Sequence, residues 1–346
     1  MNMKKRWLRR GVFTVILTIL PCIPALLPPP AHPAAAPVMP EVTQAAETEI
    51  STTAPAIVEN EGGCRAVYRV LQTETGEIAE IPVRDYLIGA VGAEMPASFS
   101  MEALKAQVVA AHTYAERQAA HAAGRTDLKG ADFSDDPAQF QAYLPEDALR
   151  ERWGENAQTC FDRIDAAVEE AGHLLLEYDG EPIIAAFHAM SSGKTESAEA
   201  VWGKDVVYLR SVESPYDRDA PRFEDTLTVP AEEVFSTLTG AHAGLTAGGD
   251  ASEWFGEPVR TDAGTVLQIA FGDGVFTGQE IRSLFCLRSA DFSVDYADGA
   301  FIFTTCGYGH AVGMSQYGAD AMARRGYTFR EILAHYYPGA ELVEVE

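Results

Sequence analysis

Hydrophobic and polar positions along the chain change their rhythm several times. Gly11 to Leu27, GVFTVILTILPCIPALL, is a charge-free apolar run directly behind Lys4, Lys5, Arg6, Arg9 and Arg10. Positive residues before an apolar stretch hold the N-terminus inside and send the following chain across a membrane. The run is about as short as a spanning helix can be, and Pro21 and Pro24 break its second half. It reads as an uncleaved anchor or as a signal peptide cut near Ala34 to Ala36. Both readings make residues 1–10 a cytoplasmic tail, 11–27 the membrane or signal segment, and everything after it extracytoplasmic. Residues 28–63 are Pro, Ala, Thr and Glu without periodicity, which predicts a flexible tether. Residues 64–346 then carry the folded domain.

Within that domain, Cys64 to Leu71 and Glu77 to Val83 alternate polar and apolar around Thr75-Gly76, which predicts a hairpin. Tyr86 to Glu94 is apolar and helical in pattern until Pro96 stops it. A second helix restarts with Ser100 as N-cap and Glu102 in its first turn; Leu104, Val108, Ala111 and Ala115 recur at helical spacing, and Gly124 ends it. Arg125 to Pro145 is polar and irregular, a predicted surface excursion, before a helix over Asn156 to Ala171. His173 to Tyr178 and Pro182 to His188 predict two strands joined at Asp179-Gly180. Val266 to Phe271, Asp291 to Tyr296 and Ala300 to Thr304 predict more, with turns at Gly272 to Gly274 and at Asp298-Gly299. Thr277-x-x-Glu280 and Thr328-x-x-Glu331 both fit a capping box. A helix is expected over Met314 to Arg325, stopping at Gly326. Strands and helices mix without a βαβ rhythm. The expected fold is therefore α+β, a compact domain of one or two lobes behind an N-terminal membrane segment.

Composition narrows the function. Of 346 residues 47% are hydrophobic, enough for a real core, and 51 acidic against 26 basic residues give a net charge of −25. Most of the cations needed for a phosphate backbone are missing, so nucleic acid is excluded as a partner. Cys22 falls in the apolar run; Cys64, Cys160, Cys286 and Cys306 remain, and four cysteines allow three full pairings. Cys286 and Cys306 flank a predicted strand pair and are the favoured candidates for a disulfide. No C-x-x-C or H-E-x-x-H spacing supports zinc.

Three segments carry candidate chemistry. Glu94, in AVGAEMPASF, would emerge at a helix end among Val91, Met95 and Phe99. Desolvation there raises a carboxyl pKa, the condition for a general acid near neutral pH; the bland alternative is an exposed helix-terminal glutamate. Phe187 to Glu196, FHAMSSGKTE, follows a strand-end histidine with small polar residues, yet G-x-S-x-G is absent and no catalytic triad is indicated. Ser191 to Trp202 has the composition of a site-lining loop. Thr305 to Gly318, TCGYGHAVGMSQYG, is a glycine-rich loop without the G-K-[ST] ending of a phosphate loop. Its polar and aromatic groups suit a sugar, and its glycines suit close helix–loop packing equally.

Together the segments YLIGAVGAEMP-x5-EALKAQVVAAHTYA, FHAMSSGKTESAEAVWG with YLRSVESPYD, LRSADFSV, and GYGHAVGMSQYGADAMARRGYTFREILAHYYPG resemble the SpoIID/LytB family, nearest its SpoIID branch. They run in the family's order from about Ile81 to Leu342. The resemblance implies a membrane-anchored, extracytoplasmic lytic transglycosylase without a cofactor. Such an enzyme cleaves peptidoglycan glycan strands that a partner amidase has stripped of peptides, within an engulfment complex during sporulation. It implies Glu94 as the catalytic residue. The remaining motif positions, implied to bind substrate, fall on His188, Ser192, Gly193, Thr195, Glu196, His310, Gly313, Ser315, Gln316 and Tyr317. Ala311 departs from the family's usual glycine, His112 from a common arginine, and no cysteine lies beside His188, so the zinc site of some members is expected to be missing. Related members enhance amidases, which leaves a non-catalytic, glycan-binding activator as the alternative and a structural scaffold of the engulfment complex as a third reading.

Overall fold

The computed structural model describes residues 57–59 and 65–345. The predicted tail, apolar run and Cys64 lie outside the described residues, as does most of the tether. Among the described residues, no helix is long and apolar enough to cross a membrane. The described part of the predicted tether is a strand: β1 (Ile57–Glu59) pairs in parallel with the last strand of the chain.

The chain continues through β2 (Val67–Leu71), β3 (Ile78–Pro82), α1 (Val83–Glu94), α2 (Met101–Ala120), β4 (Phe133–Ser134), α3 (Glu146–Trp153) and α4 (Ala157–Ala171). Then come β5 (Leu174–Tyr178), β6 (Glu181–Pro182), β7 (Phe187–His188) and α5 (Ala198–Trp202). A second group follows: β8 (Glu224–Pro230), α6 (Ala231–Ala241), β9 (Val259–Arg260), β10 (Val266–Phe271), β11 (Gly274–Thr277), α7 (Gly278–Leu284), β12 (Phe292–Ala297) and β13 (Ala300–Cys306). The chain closes with β14 (Met314–Ser315), α8 (Gln316–Arg324), α9 (Phe329–Tyr336) and β15 (Glu341–Glu344).

Two hydrophobic cores result, and the mixed helices and strands are those of an α+β protein. The first gathers Tyr68, Tyr86, Leu104, Phe133, Leu149 and Ile164, and then, far along the chain, Val312, Met314 and Tyr336. The second is built from Val229 to Phe303 alone, with Phe271, Phe276, Phe301 and Phe303 at its centre. The second core is thus an insertion, framed by the sheets β12-β13-β8 and β11-β10-β9. Its return delivers β14 alongside β7 in parallel, Ser315 opposite His188.

Local chemistry explains much of this. Pro96 drives Met95 into the extended region, so α1 ends at Glu94. Asp179 and Gly180 both take positive φ, the twist that a two-residue hairpin needs between β5 and β6. Both predicted capping boxes are made, at Thr277 with Glu280 and at Thr328 with Glu331. α2 is buried over more than one stripe: its alanines 103, 106, 110, 111 and 115 let α4, α8 and β5 approach closely.

Several expectations are corrected. Residues 125–145 are not a surface excursion: Leu128, Phe133 and Phe140 sit in the first core, and β4 pairs with β2. Ser100 makes no side-chain cap; its N–H instead donates to Asp320 (2.7 Å). α2 stops at Ala120, short of Gly124, and α8 starts at Gln316 because Met314 and Ser315 belong to a strand. The strand predicted over Pro182 to His188 breaks into β6 and β7. Cys286 and Cys306 are free thiols, as is Cys160, so the favoured disulfide does not form.

Candidate active site

Glu94 is the last residue of α1 and is half-buried. Helix carbonyls left without partners at a C-terminus need donors from elsewhere; two side chains supply them here, and a third holds the loop that follows. Arg152 donates to Ala93 O (3.2 Å), Gln316 Nε2 to Glu94 O (3.3 Å), and Arg163 to both Ala97 O and Phe99 O (2.7 Å each). The Glu94 carboxylate itself accepts one hydrogen bond at Oε1, from Ala142 N–H at 2.9 Å. Oε2 has no protein partner among the described residues. Burial raises the Glu94 pKa above the ordinary carboxylate value, opposed first by the Ala142 N–H and then by the Arg152 charge.

Glycines place that N–H. A Cβ on Gly89 would come within 2.3 Å of the Tyr143 ring and 2.6 Å of Leu144 O, and one on Gly92 within 2.8 Å of Leu149. Their absence lets residues 142–144 and α3 lie directly on α1, which brings the 142 amide to the carboxylate.

The two other motif segments meet beside this helix end. Asp217, fully buried, accepts from Ser191 N–H (2.7 Å) and Ser191 Oγ (2.5 Å) on one oxygen and from Ser315 Oγ (2.7 Å) on the other. Burial pushes its pKa up to about 6, against the pull of these donors. Ser315 Oγ in turn caps α8 by accepting from Gly318 N–H (3.0 Å). Asp217 therefore ties the serine loop to the glycine-rich loop. It was missed in the sequence because its partners lie far away along the chain; its place in YLRSVESPYD was the only local signal.

Most predicted binding residues hold the loops rather than face outward. Thr195 Oγ1 accepts from Val212 N–H (2.9 Å), and Glu196, 2% exposed, is hydrogen-bonded by Thr261 of the inserted part. Ser192 Oγ donates to Ala263 O (2.9 Å), a second tie across the two cores. Gly193 (φ 110°) leaves room for Arg218, and Gly313 (φ 74°) lies where a Cβ would be 2.0 Å from Ala186 O. Gln316 also meets Gln107 Oε1 (3.4 Å) under the Glu94 backbone. Tyr317 is half-buried with its ring edge-on to Phe99 at 5.0 Å. His188 is buried, its Nδ1 donating to Val312 O (3.2 Å); burial and the neighbouring His310 pull its pKa down to about 3. His310, half-buried, accepts Val312 N–H at Nδ1 (3.0 Å) and is held at about 4 by burial and by Arg282. Both rings are neutral at pH 7. Among the described residues no group of three His, Cys, Asp or Glu side chains is placed to hold a metal ion.

The structure thus joins Glu94, the His188 loop and the His310 loop through Gln316, Ser315 and Asp217. His112 lies apart, buried on α2 with Nε2 3.9 Å from Glu116.

Residues 71–178, which contain Glu94 and its Ala142 partner, match the SpoIID family, described as stage II sporulation protein. The stage II sporulation protein D of Bacillus amyloliquefaciens is 37% identical over 278 residues, 80% of this chain and 78% of that one. Its Bacillus subtilis counterpart is 36% identical over 80% and 79% of the two chains. The amidase enhancer of Bacillus subtilis is 27% identical over 74% of this chain and 40% of its own length. The chain belongs to the stage II sporulation protein D family.

Proposed function

We propose that this chain is a lytic transglycosylase, a glycan lyase acting on peptide-free peptidoglycan strands with Glu94 as its single acid–base. The reading rests on one observation above all. A half-buried carboxyl of raised pKa stands at a helix end with one oxygen fixed by Ala142 N–H and the other free of protein partners among the described residues. A carboxyl that stays protonated can donate to the glycosidic oxygen between N-acetylmuramic acid and N-acetylglucosamine. The resulting carboxylate then takes the proton from the muramic acid C6 hydroxyl as that oxygen attacks the anomeric carbon and closes a 1,6-anhydro ring. The attack is intramolecular, so its high effective molarity replaces the bound water and second carboxylate of a hydrolase. General acid–base help of this kind contributes roughly 10²–10⁴-fold. The N-terminal apolar run would place the reaction outside the cytoplasmic membrane, working beside an amidase that strips the strands.

Incubating the purified chain with amidase-stripped glycan and measuring anhydro ends by mass spectrometry tests this. Glu94→Gln should fold normally and yield none; full activity in that variant overturns the assignment. A second reading, activation of an amidase by glycan binding, is favoured by the similarity to an amidase enhancer. It predicts no anhydro ends from the wild-type chain, yet faster release of peptides by an added amidase.

A further inference from the structure

Trp202 is the last residue of α5 and is 37% exposed, the one exposed ring among the described phenylalanines, tyrosines and tryptophans. It is not a loose side chain. α5 is fixed by the Ser197 cap on Ala200 N–H (3.2 Å) and by Ala198 N–H on Leu209 O (2.9 Å). One side of the indole lies against His310, ring centres 5.6 Å apart, and His310 is backed by His188 at 5.7 Å. Three rings therefore run from the β7–β14 pairing out to the surface. The outermost has a free flank, and its Nε1–H has no protein partner among the described residues. Beside it, Val201, His310, Ser191, Ser192 and Asp291 help line a cavity of about 20 Å³ between the two cores, room for one water-sized group. Lys204, two residues on, is exposed and makes no ion pair among the described residues.

A backed aromatic face, with a small cavity lined in part by Ser191, Ser192, Asp291 and His310 beside its backing ring, suits a sugar ring, with C–H bonds for the indole and polar substituents for the rest. We infer that Trp202 is a saccharide-binding platform of the glycan groove, taking an amino-sugar ring of the strand at a subsite separate from Glu94. This deepens the reading given under Proposed function and rests on it for the identity of the polymer. Contacts between Trp202 and the reacting carboxyl's helix end run through His310, His188, Ser315 and Gln316, so the platform and Glu94 rest on different groups. A pre-fixed indole loses little side-chain freedom on binding, so its contribution persists in the affinity.

The test is calorimetric binding of amidase-stripped glycan octasaccharide and disaccharide to the full chain carrying Glu94→Gln, with and without a change at Trp202. Trp202→Ala should weaken octasaccharide binding roughly tenfold, the contribution of about one aromatic face, and leave the disaccharide unchanged. Trp202→Phe should restore most of the octasaccharide affinity. Equal octasaccharide affinity in Trp202→Ala, or an equal loss for both lengths, overturns the platform. Binding is read without turnover, so a failure of Glu94 as the acid–base would leave this result standing and distinguishable.

Discussion

Replacing Asp217 by asparagine tests whether burial or hydrogen bonding governs the carboxyl that joins the two motif loops. The folded-state pKa is pushed up to about 6 from an ordinary 3.8. A raised pKa means that the folded chain keeps this proton to higher pH than the unfolded chain does. The associated stability is fully present below about pH 3.8 and is lost as pH rises through 6. Two pKa units at about 1.4 kcal/mol each make the swing about 3 kcal/mol. Asparagine cannot titrate, and its amide fits the site. Its oxygen can accept from Ser191 N–H and Oγ. Its nitrogen can donate to Ser315 Oγ, whose own proton can turn to Ala189 O, 3.5 Å away. Urea denaturation of wild type and Asp217→Asn between pH 4 and 7, read for the first core through Trp153, should show the variant gaining about 3 kcal/mol on wild type as pH rises. His188 and His310 titrate in the opposite sense, with lowered folded pKa values, but both are present in each protein and cancel in the difference. A difference independent of pH refutes the reasoning, because the carboxyl would then be ionised throughout. Asp217→Ala supplies the contrast: it cannot titrate either, so its difference from wild type follows the same pH dependence, but it strands three donors and should lie about 3 kcal/mol below Asp217→Asn at every pH.

Other perturbations read separate parts of the same structure. Gly89→Ala drives a methyl against Tyr143 and Leu144 O, so it should destabilise the first core by about 1–3 kcal/mol and reduce glycan cleavage beyond any loss of folded protein; an unperturbed, fully active variant would show that residues 142–144 do not need this contact. Ala311 adopts φ 62°, a left-handed conformation that costs an L-residue, so Ala311→Gly should stabilise by about 0.5–1 kcal/mol in thermal denaturation. With Glu94 as the acid, kcat/KM falls on the alkaline side as it ionises. Arg152→Met removes a charge that favours the carboxylate and should move that limb to higher pH, whereas a downward move contradicts the electrostatic assignment.

What was legible in the sequence was local. The capping boxes at Thr277 and Thr328 need only residues three apart, and the end of α1 needs only Pro96 beside Glu94. The stretch 125–145 hides its core residues because Phe133 and Phe140 are separated by Ser134 to Gln139, a mostly polar segment broken by Pro137, so no periodic apolar run forms, although each fills a core that other segments supply. The same non-locality hid Ala142 as the donor to Glu94 and Asp217 as the knot between serines 191 and 315. The break between β6 and β7 follows from partner choice: β6 pairs back on β5, while β7 takes β14 from beyond the insertion.

The insertion also explains why polar motif residues end up inside the protein. A chain that leaves the first core after Asp217 and returns only at Val312 must be fastened where it leaves and where it re-enters. The fastenings are Asp217 to Ser191 and Ser315, Thr261 to Glu196, and Ser192 to Ala263 O. Buried hydrogen bonds of this sort set geometry more than net stability, because each exchanges a bond to water for a bond to protein. Thr195, Glu196 and Ser315 thus have their bonding capacity engaged within the fold. Among the described residues, the second oxygen of Glu94, His188 Nε2 and the indole N–H of Trp202 make no hydrogen bond within the fold.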